Sequence, residues 1–157
     1  MATASVLLAS GCAAGHPGPA GSGSAAGSQR QALAARYLRI AQAGNRRLEI
    51  DFDGLHGRDR RNLAAARADL RDAAATERLF DQRLMAIAFP PVTEAVARTL
   101  FQLNQARARL TDAAAAAATS VNELRAYEQL LTDANAPVER AVRTIRSRLG
   151  LPPPETS

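Results

Sequence analysis

The chain lacks several residue types, and each shortage excludes a class of structure. One cysteine among 157 residues excludes an internal disulfide framework. Aromatic residues make up 4% of the chain and Trp is absent, so a core has to be built mostly of Ala and Leu. No apolar run reaches the roughly 18 residues that a membrane-spanning helix needs. What remains is a length suited to about one domain.

Motifs that carry catalytic or metal chemistry are also missing. The sequence contains no Glu-x-x-His pattern, nucleophile elbow, phosphate loop or cysteine–histidine metal spacing. We therefore predict no catalytic residue, no metal and no cofactor, and an enzyme is the function we expect least. The net charge of +5 and the pI near 10.8 would suggest nucleic acid. However, 15 acids are mixed among 20 arginines and no Gly-aromatic RNA-binding motif is present, so we predict no nucleic-acid partner.

The single cysteine follows a short apolar run, in the stretch Leu8-Ala9-Ser10-Gly11-Cys12. This stretch resembles the lipobox of bacterial lipoproteins. The resemblance implies cleavage before Cys12, a diacylglyceryl group on its sulfur, and a mature chain anchored at the extracytoplasmic face of a membrane. Residues 1–11 contain no Lys or Arg, whereas signal peptides normally open with a positive region, which leaves open a translation start upstream. The alternative is a disordered N-terminus with an incidental cysteine.

The remaining sequence divides into three segments. Residues 13–27 consist almost wholly of Ala, Gly, Ser and Pro, so we predict a lipidated cysteine and flexible tether over residues 12–27. A helical domain is expected over residues 28–150, opened by a capping box of Ser28 and Gln31, and a Pro-rich tail over residues 151–157. This part of the chain is similar to small uncharacterised lipoproteins of high-GC bacteria, which implies nothing specific about activity.

Apolar residues recur at three- and four-residue steps along four stretches, the spacing of one helical face. The first helix ends at the glycines around His56, and the second runs from about Asp59 to Phe89. Pro90 and Pro91 separate the second helix from the third. The predicted apolar face of the third helix consists of Val96, Leu100, Leu103, Leu110, Ala114 and Ala117. Between Leu110 and Leu131 there is no Gly or Pro, so one long helix is an alternative, but a second capping box at Ser120 and Glu123 favours a break. The sequence predicts an all-α, up-down-up-down four-helix bundle.

Two charged residues occupy otherwise apolar seams. Glu77 stands in the seam of the second helix and Arg107 in that of the third, within about one helical turn of each other when counted from the prolines. A lone buried charge would be costly, so we predict that they pair. Two interpretations stay open, a polar pocket inside the bundle and a register-fixing pair near its rim.

Two further charged groups lie at opposite ends of the predicted bundle. Glu49, Asp51 and Asp53 with His56 could surround a cation, but salt bridges to the arginines at positions 58, 60 and 61 across the turn are the stronger interpretation. At the tethered end, where the net positive charge concentrates, we predict a membrane-facing basic patch. It comprises Arg140, Arg143, Arg146 and Arg148.

The function expected from the sequence is a membrane-anchored envelope lipoprotein that acts as a structural or protein-interaction module. Its partners would be the membrane, through the lipid anchor, and a protein of the cell envelope. The first alternative is an envelope lipoprotein that binds a ligand or metal, and the second is a cytosolic helical protein. Oligomeric state is not indicated by the sequence.

Overall fold

The computed structural model describes residues 6–7 and 23–156, and four helices make up most of that part. The helices are α1 (Gly23–His56), α2 (Leu63–Met85), α3 (Pro91–Ala117) and α4 (Val121–Arg148). Two-residue strands β1 (Val6–Leu7) and β2 (Glu155–Thr156) pair antiparallel, with Val6 opposite Thr156. Each helix packs along the next one in the chain. The predicted all-α four-helix fold is confirmed.

The first helix begins earlier than predicted. It starts at Gly23, so Ser28 lies inside it and the predicted start at residue 28 is wrong. Ala25 and Ala26 are strong helix formers, and extending an existing helix adds one backbone hydrogen bond for each residue fixed. The predicted tether therefore loses its last five residues to α1. Its remainder, including Cys12, lies outside the described residues.

The second helix is shorter than predicted at both ends. Its N-cap is Asn62, whose side chain accepts a hydrogen bond from the backbone N–H of Ala65 at 3.2 Å, so residues 57–61 form turns. It ends at Met85, and the five residues before α3 include buried Ile87 and Phe89. Ile87 and Phe89 continue the apolar pattern of the second helix, but they enter the core from a non-helical turn. Periodicity alone could not tell such a turn from another helical turn.

The predicted break between the third and fourth helices is confirmed. Ser120 Oγ accepts from the N–H of Glu123 at 3.2 Å, and Glu123 Oε2 accepts from the N–H of Thr119 at 2.6 Å. The first bond satisfies an N–H group that the start of a helix leaves free, and the second holds the residue before the N-cap against Glu123. At the other end, α4 runs through Pro137 and stops before Gly150, whose φ of 71° is the left-handed conformation that glycine adopts most readily.

The apolar core consists of two separate clusters. We call the end of the bundle where α1 begins and α4 ends the base, and the opposite end the apex. The basal cluster contains buried residues from all four helices, packed around Leu84, Leu100 and Ile145. The smaller apical cluster has Leu70 and Leu124 among alanines of α2 and α3. Within residues 23–156, no helix has the length and apolar character of a membrane span.

Candidate functional site

An open cavity of about 210 Å³ lies between the two clusters and is lined by all four helices. Its floor comes from α2 and α3, where Thr76, Glu77 and Asn104 are buried. Its mouth lies between α1 and α4, where lining residues such as Glu49 and Glu128 are exposed. The cavity forms because α1 and α4 meet through side chains in the basal cluster but do not pack along each other towards the apex.

The floor of the cavity holds the charged pair that the seams indicated. Glu77 Oε1 lies 2.8 Å from Arg107 Nη2, and the two side chains are 2% and 14% exposed. Arg107 Nη1 also donates to Asn135 Oδ1 on α4 at 2.5 Å. The pair therefore lies between the clusters and lines the cavity, the geometry of the polar-pocket interpretation and not of a pair near the rim.

The charged pair is not fully satisfied by the described residues. Glu77 Oε2 and Arg107 Nε are buried without a hydrogen-bond partner among them. Burial raises the pKa of Glu77, and the Arg107 guanidinium opposes that rise. A buried polar atom left unpaired costs about 1–3 kcal/mol. The floor of the cavity thus retains unused hydrogen-bonding capacity beside an ion pair.

A second polar group lies beside the ion pair and was not predicted from the sequence. Asn104 Nδ2 donates to Asp81 Oδ1 at 3.0 Å and to the backbone oxygen of Glu77 at 3.3 Å. Gln105 Nε2 donates to Asp81 Oδ2 at 2.8 Å. Asp81 is fully buried, which raises the pKa of its carboxyl to about 6, while the two amides oppose that rise. A sequence signal existed, because Asp81 follows Glu77 by four residues on the same helical face.

The buried stripe of α3 differs from the one predicted. We expected Leu103, Leu110 and Ala117 on it, but the first two are only half-buried and Ala117 is exposed. The stripe is instead rotated by about one residue and includes Asn104 and Thr111. It consists of Thr93, Ala97, Leu100, Asn104, Ala108, Thr111, Ala114 and Ala115. Small side chains there let α3 pack closely on α2, and Asn104 is tolerated because its amide is hydrogen-bonded.

Aromatic and aliphatic side chains form the walls of the cavity. Phe52 on α1 stacks on His56, with ring centroids 6.2 Å apart and an angle of 18° between the planes. Phe80 on α2 and Leu131 on α4 line the cavity with them. Above these walls, Glu49 on α1 and Glu128 on α4 place two exposed carboxylates among the lining residues. The site combines an apolar interior, a neutral ion pair below and negative charge above.

The acidic group predicted at the α1–α2 turn is divided by the fold. Glu49 and His56 line the cavity. Asp51 does not line it, and burial together with the neighbouring Asp72 raises the pKa of its carboxyl. The predicted salt bridges from these acids to the turn arginines are wrong for Arg58, whose Nε lies 2.8 Å from Asp59 Oδ2. Asp59 is adjacent to Arg58 in the chain, so its carboxylate binds the guanidinium in place of the acids of α1. Among the described residues, no three His, Cys, Asp or Glu side chains are arranged to hold a metal ion.

The predicted basic patch at the base loses one member. Arg140, Arg143 and Arg148 are exposed, but Arg146 is only 1% exposed and its Nε donates to the backbone oxygen of Pro152 at 2.5 Å. Arg146 follows Ile145 at the edge of the buried stripe, and the chain after α4 folds back over it. Including Arg146 among the membrane-facing residues was therefore wrong.

The fold and the site together define a class, an all-α four-helix protein with a cavity that opens between its first and last helices. Comparison of the chain with family models, with curated proteins and with solved structures gives no match. The features of the chain that bear on function are the cavity, its charges and the sequence around Cys12. Cys12 itself lies outside the described residues.

Proposed function

We propose that the protein binds a small amphipathic organic molecule in the cavity between α1 and α4. The observation that carries this proposal is an open apolar cavity with a buried and incompletely paired Glu77–Arg107 group in its floor. Ligand sites in proteins are typically apolar concavities with a few convergent polar groups. The arrangement favours the ligand-binding alternative over a purely structural role.

The size and energetics of the cavity support a ligand of small dimensions. An apolar cavity of about 150 Å³ in a protein core accepts benzene, so one of about 210 Å³ has room for a slightly larger molecule. Filling it would remove the exposed faces of Phe52, Phe80 and Leu131 from water. Each Å² of apolar surface so covered contributes about 25 cal/mol to binding, before the cost of immobilising the ligand.

A blocking substitution at the mouth tests this proposal. Thr132 is an exposed residue of α4 that lines the cavity, whereas Ala126 is an exposed residue of α4 that does not. We expect the full chain to bind 2-phenylethanol, with NMR shift changes at the amides of Gly44 and Thr132. Thr132→Trp should abolish those changes at Gly44, and the matched control Ala126→Trp should preserve them. Unchanged spectra of the unmodified chain with 2-phenylethanol would count against the function.

We also propose that Cys12 carries lipid and holds this binding domain at a membrane. The lipobox-like stretch supports the anchor, and stable attachment needs two or more lipid chains. In the mature protein so formed, cleavage before Cys12 removes β1 and leaves β2 without that partner. Mass spectrometry of the native N-terminus should find an acylated cysteine, and Cys12→Ser should release the protein from membranes. An unmodified Met1 would refute the anchor and leave the cavity proposal standing.

The base supplies a second contact in this proposal. Cys12 lies shortly before α1 in the chain, so the base is the end that a lipid anchor would bring to the membrane. Exposed Arg140, Arg143 and Arg148 lie at that end, and each basic residue close to anionic lipid contributes about 1 kcal/mol. The Cys12→Ser chain should therefore keep weak binding to anionic vesicles that is lost in high salt. A protein partner in the envelope remains the alternative role of the same anchored domain.

A further inference from the structure

We propose that the ligand of the cavity is a small organic cation, an apolar or aromatic body that carries a primary ammonium group. This inference rests on the proposed function and adds the chemical class of the ligand. Its basis is the set of ionisable groups that line the cavity, which comprises three carboxylates, on Glu49, Glu77 and Glu128, against a single guanidinium, on Arg107, and the imidazole of His56. Two of those carboxylates are exposed at the mouth.

An anionic ligand does not fit this arrangement. The guanidinium of Arg107 already contacts Glu77 Oε1 through Nη2, at 2.8 Å, and Asn135 Oδ1 through Nη1, at 2.5 Å. Both terminal nitrogens, which form the usual fork for a carboxylate or phosphate, are therefore occupied. An anion would also have to pass Glu49 and Glu128, and like charges at a site cost binding. The cavity therefore disfavours anionic ligands, although a buried arginine would ordinarily suggest an anion.

A cationic ligand meets complementary groups at each level of the cavity. An ammonium group has three donors and no acceptor, and it can bind the mouth carboxylates of Glu49 and Glu128 while staying in contact with water. Its apolar body then lies along Phe52 and Phe80, whose ring faces also attract a cation. Glu77 lines the floor with one carboxylate oxygen unpartnered among the described residues, so a hydrogen-bond acceptor for a donor of the ligand lies below the apolar walls.

Three molecules of nearly equal size and different charge test the inference. NMR titrations of the full chain with 2-phenylethylamine, 2-phenylethanol and phenylacetate should rank them in that order of affinity. We expect the amine to bind at least about tenfold more tightly than the anion, because one charge at the mouth attracts and the other is repelled. The advantage over the alcohol should shrink at high salt, since exposed charges are screened beyond roughly 8–10 Å.

Substitutions at the mouth sharpen the test. Glu49→Gln and Glu128→Gln should each weaken the binding of 2-phenylethylamine by about two- to fivefold, the range of exposed ion pairs, and leave 2-phenylethanol unaffected. Asp53→Asn is the matched control, because Asp53 is an exposed acid of α1 that does not line the cavity. Equal binding of the alcohol or the anion would overturn the cation proposal while the cavity function stands. Failure of all three molecules to bind would overturn both.

Discussion

The basal and apical clusters belong to one bundle but differ in what fills them. The basal cluster buries large side chains from every helix, including Tyr37, Leu84 and Ile145. Four of the six buried members of the apical cluster are alanines, and α1 contributes only the half-buried Leu55. Burying a large apolar side chain contributes about 1.5–3 kcal/mol, several times what an alanine methyl provides. Large apolar side chains therefore join all four helices at the base, whereas α1 and α4 do not pack along each other towards the apex.

A polar layer lies between the two clusters and contributes to the floor of the cavity. Glu77, Asp81 and Arg107 occupy positions where the basal pattern would continue with apolar residues. The bundle covers Glu77 and Asp81, and hydrogen bonds and an ion pair take the place that large apolar side chains fill at the base. The cavity thus lies where the large apolar side chains of the base give way to a hydrogen-bonded charged pair.

Truncating one leucine in each cluster should give the largest effect and test the difference directly. Leu84→Ala at the base should lower the free energy of unfolding by about 3–5 kcal/mol, because bulky neighbours cannot close the space. Leu70→Ala at the apex should cost about 2–3 kcal/mol, since its alanine neighbours allow the helices to approach. Urea denaturation measures both. A larger loss at the apex would contradict the comparison.

Removing one member of the polar pair should produce the next largest effect. Glu77→Ala leaves Arg107 buried without its carboxylate and should cost about 3 kcal/mol, as breaking a buried ion pair does. Replacing both residues with Leu should recover much of that loss. Glu139→Ala is the control, because Glu139 and Arg143 form a more exposed pair at 3.8 Å whose loss should cost about 0.5 kcal/mol. Additive losses from the Glu77 and Arg107 variants would show that the two do not interact.

The pH dependence of stability should identify Asp81. Its folded-state pKa of about 6 exceeds the ordinary value of 3.8, so the folded protein binds a proton more tightly than the unfolded chain between those values. Stability should therefore fall as the pH rises from about 4 to 7, with Glu77, whose pKa is also raised, acting in the same direction. Asp81→Asn should be about 1–2 kcal/mol more stable than the unmodified protein at pH 7 and should flatten the profile. An unchanged profile for Asp81→Asn would assign the pH dependence to other groups.

The smallest effect on stability is expected at the cavity, from replacing a glycine of α1 with alanine. The same replacement at a second glycine of α1 should change stability in the opposite direction. A Cβ at Gly44 would lie 3.9 Å from Phe80, an ordinary contact, so Gly44→Ala should stabilise the protein by about 0.5–1 kcal/mol. A Cβ at Gly54 would lie 2.8 Å from Asp69 Oδ2, so Gly54→Ala should destabilise it. Thermal unfolding of the two variants measures the difference. Stabilisation by both would mean that α1 is as loosely held at Gly54 as at the cavity.

Local patterns predicted the helices well where a specific side chain marks the boundary. Ser120 with Glu123 marked the start of α4, and Pro91 the start of α3, because capping and proline geometry act within a few residues. The start of α1 was missed since Ala25 and Ala26 carry no such marker. Arg146 was misplaced for a different reason, because its burial depends on groups distant from its own helix face, the returning chain at Pro152 and Tyr37 of α1.

The sequence by itself determined the helical class and the pairing of Glu77 with Arg107, because these follow from periodicity and from the cost of a lone buried charge. It favoured four helices through the capping box at Ser120 and Glu123, and left one long helix as the alternative. Only the tertiary structure decided that this pair lies in the floor of a cavity. It also decided that Asp81 and Asn104 join the pair and that Glu49 and Glu128 share a mouth. These arrangements depend on the distance between α1 and α4, which residues far apart in the chain set through packing at the base.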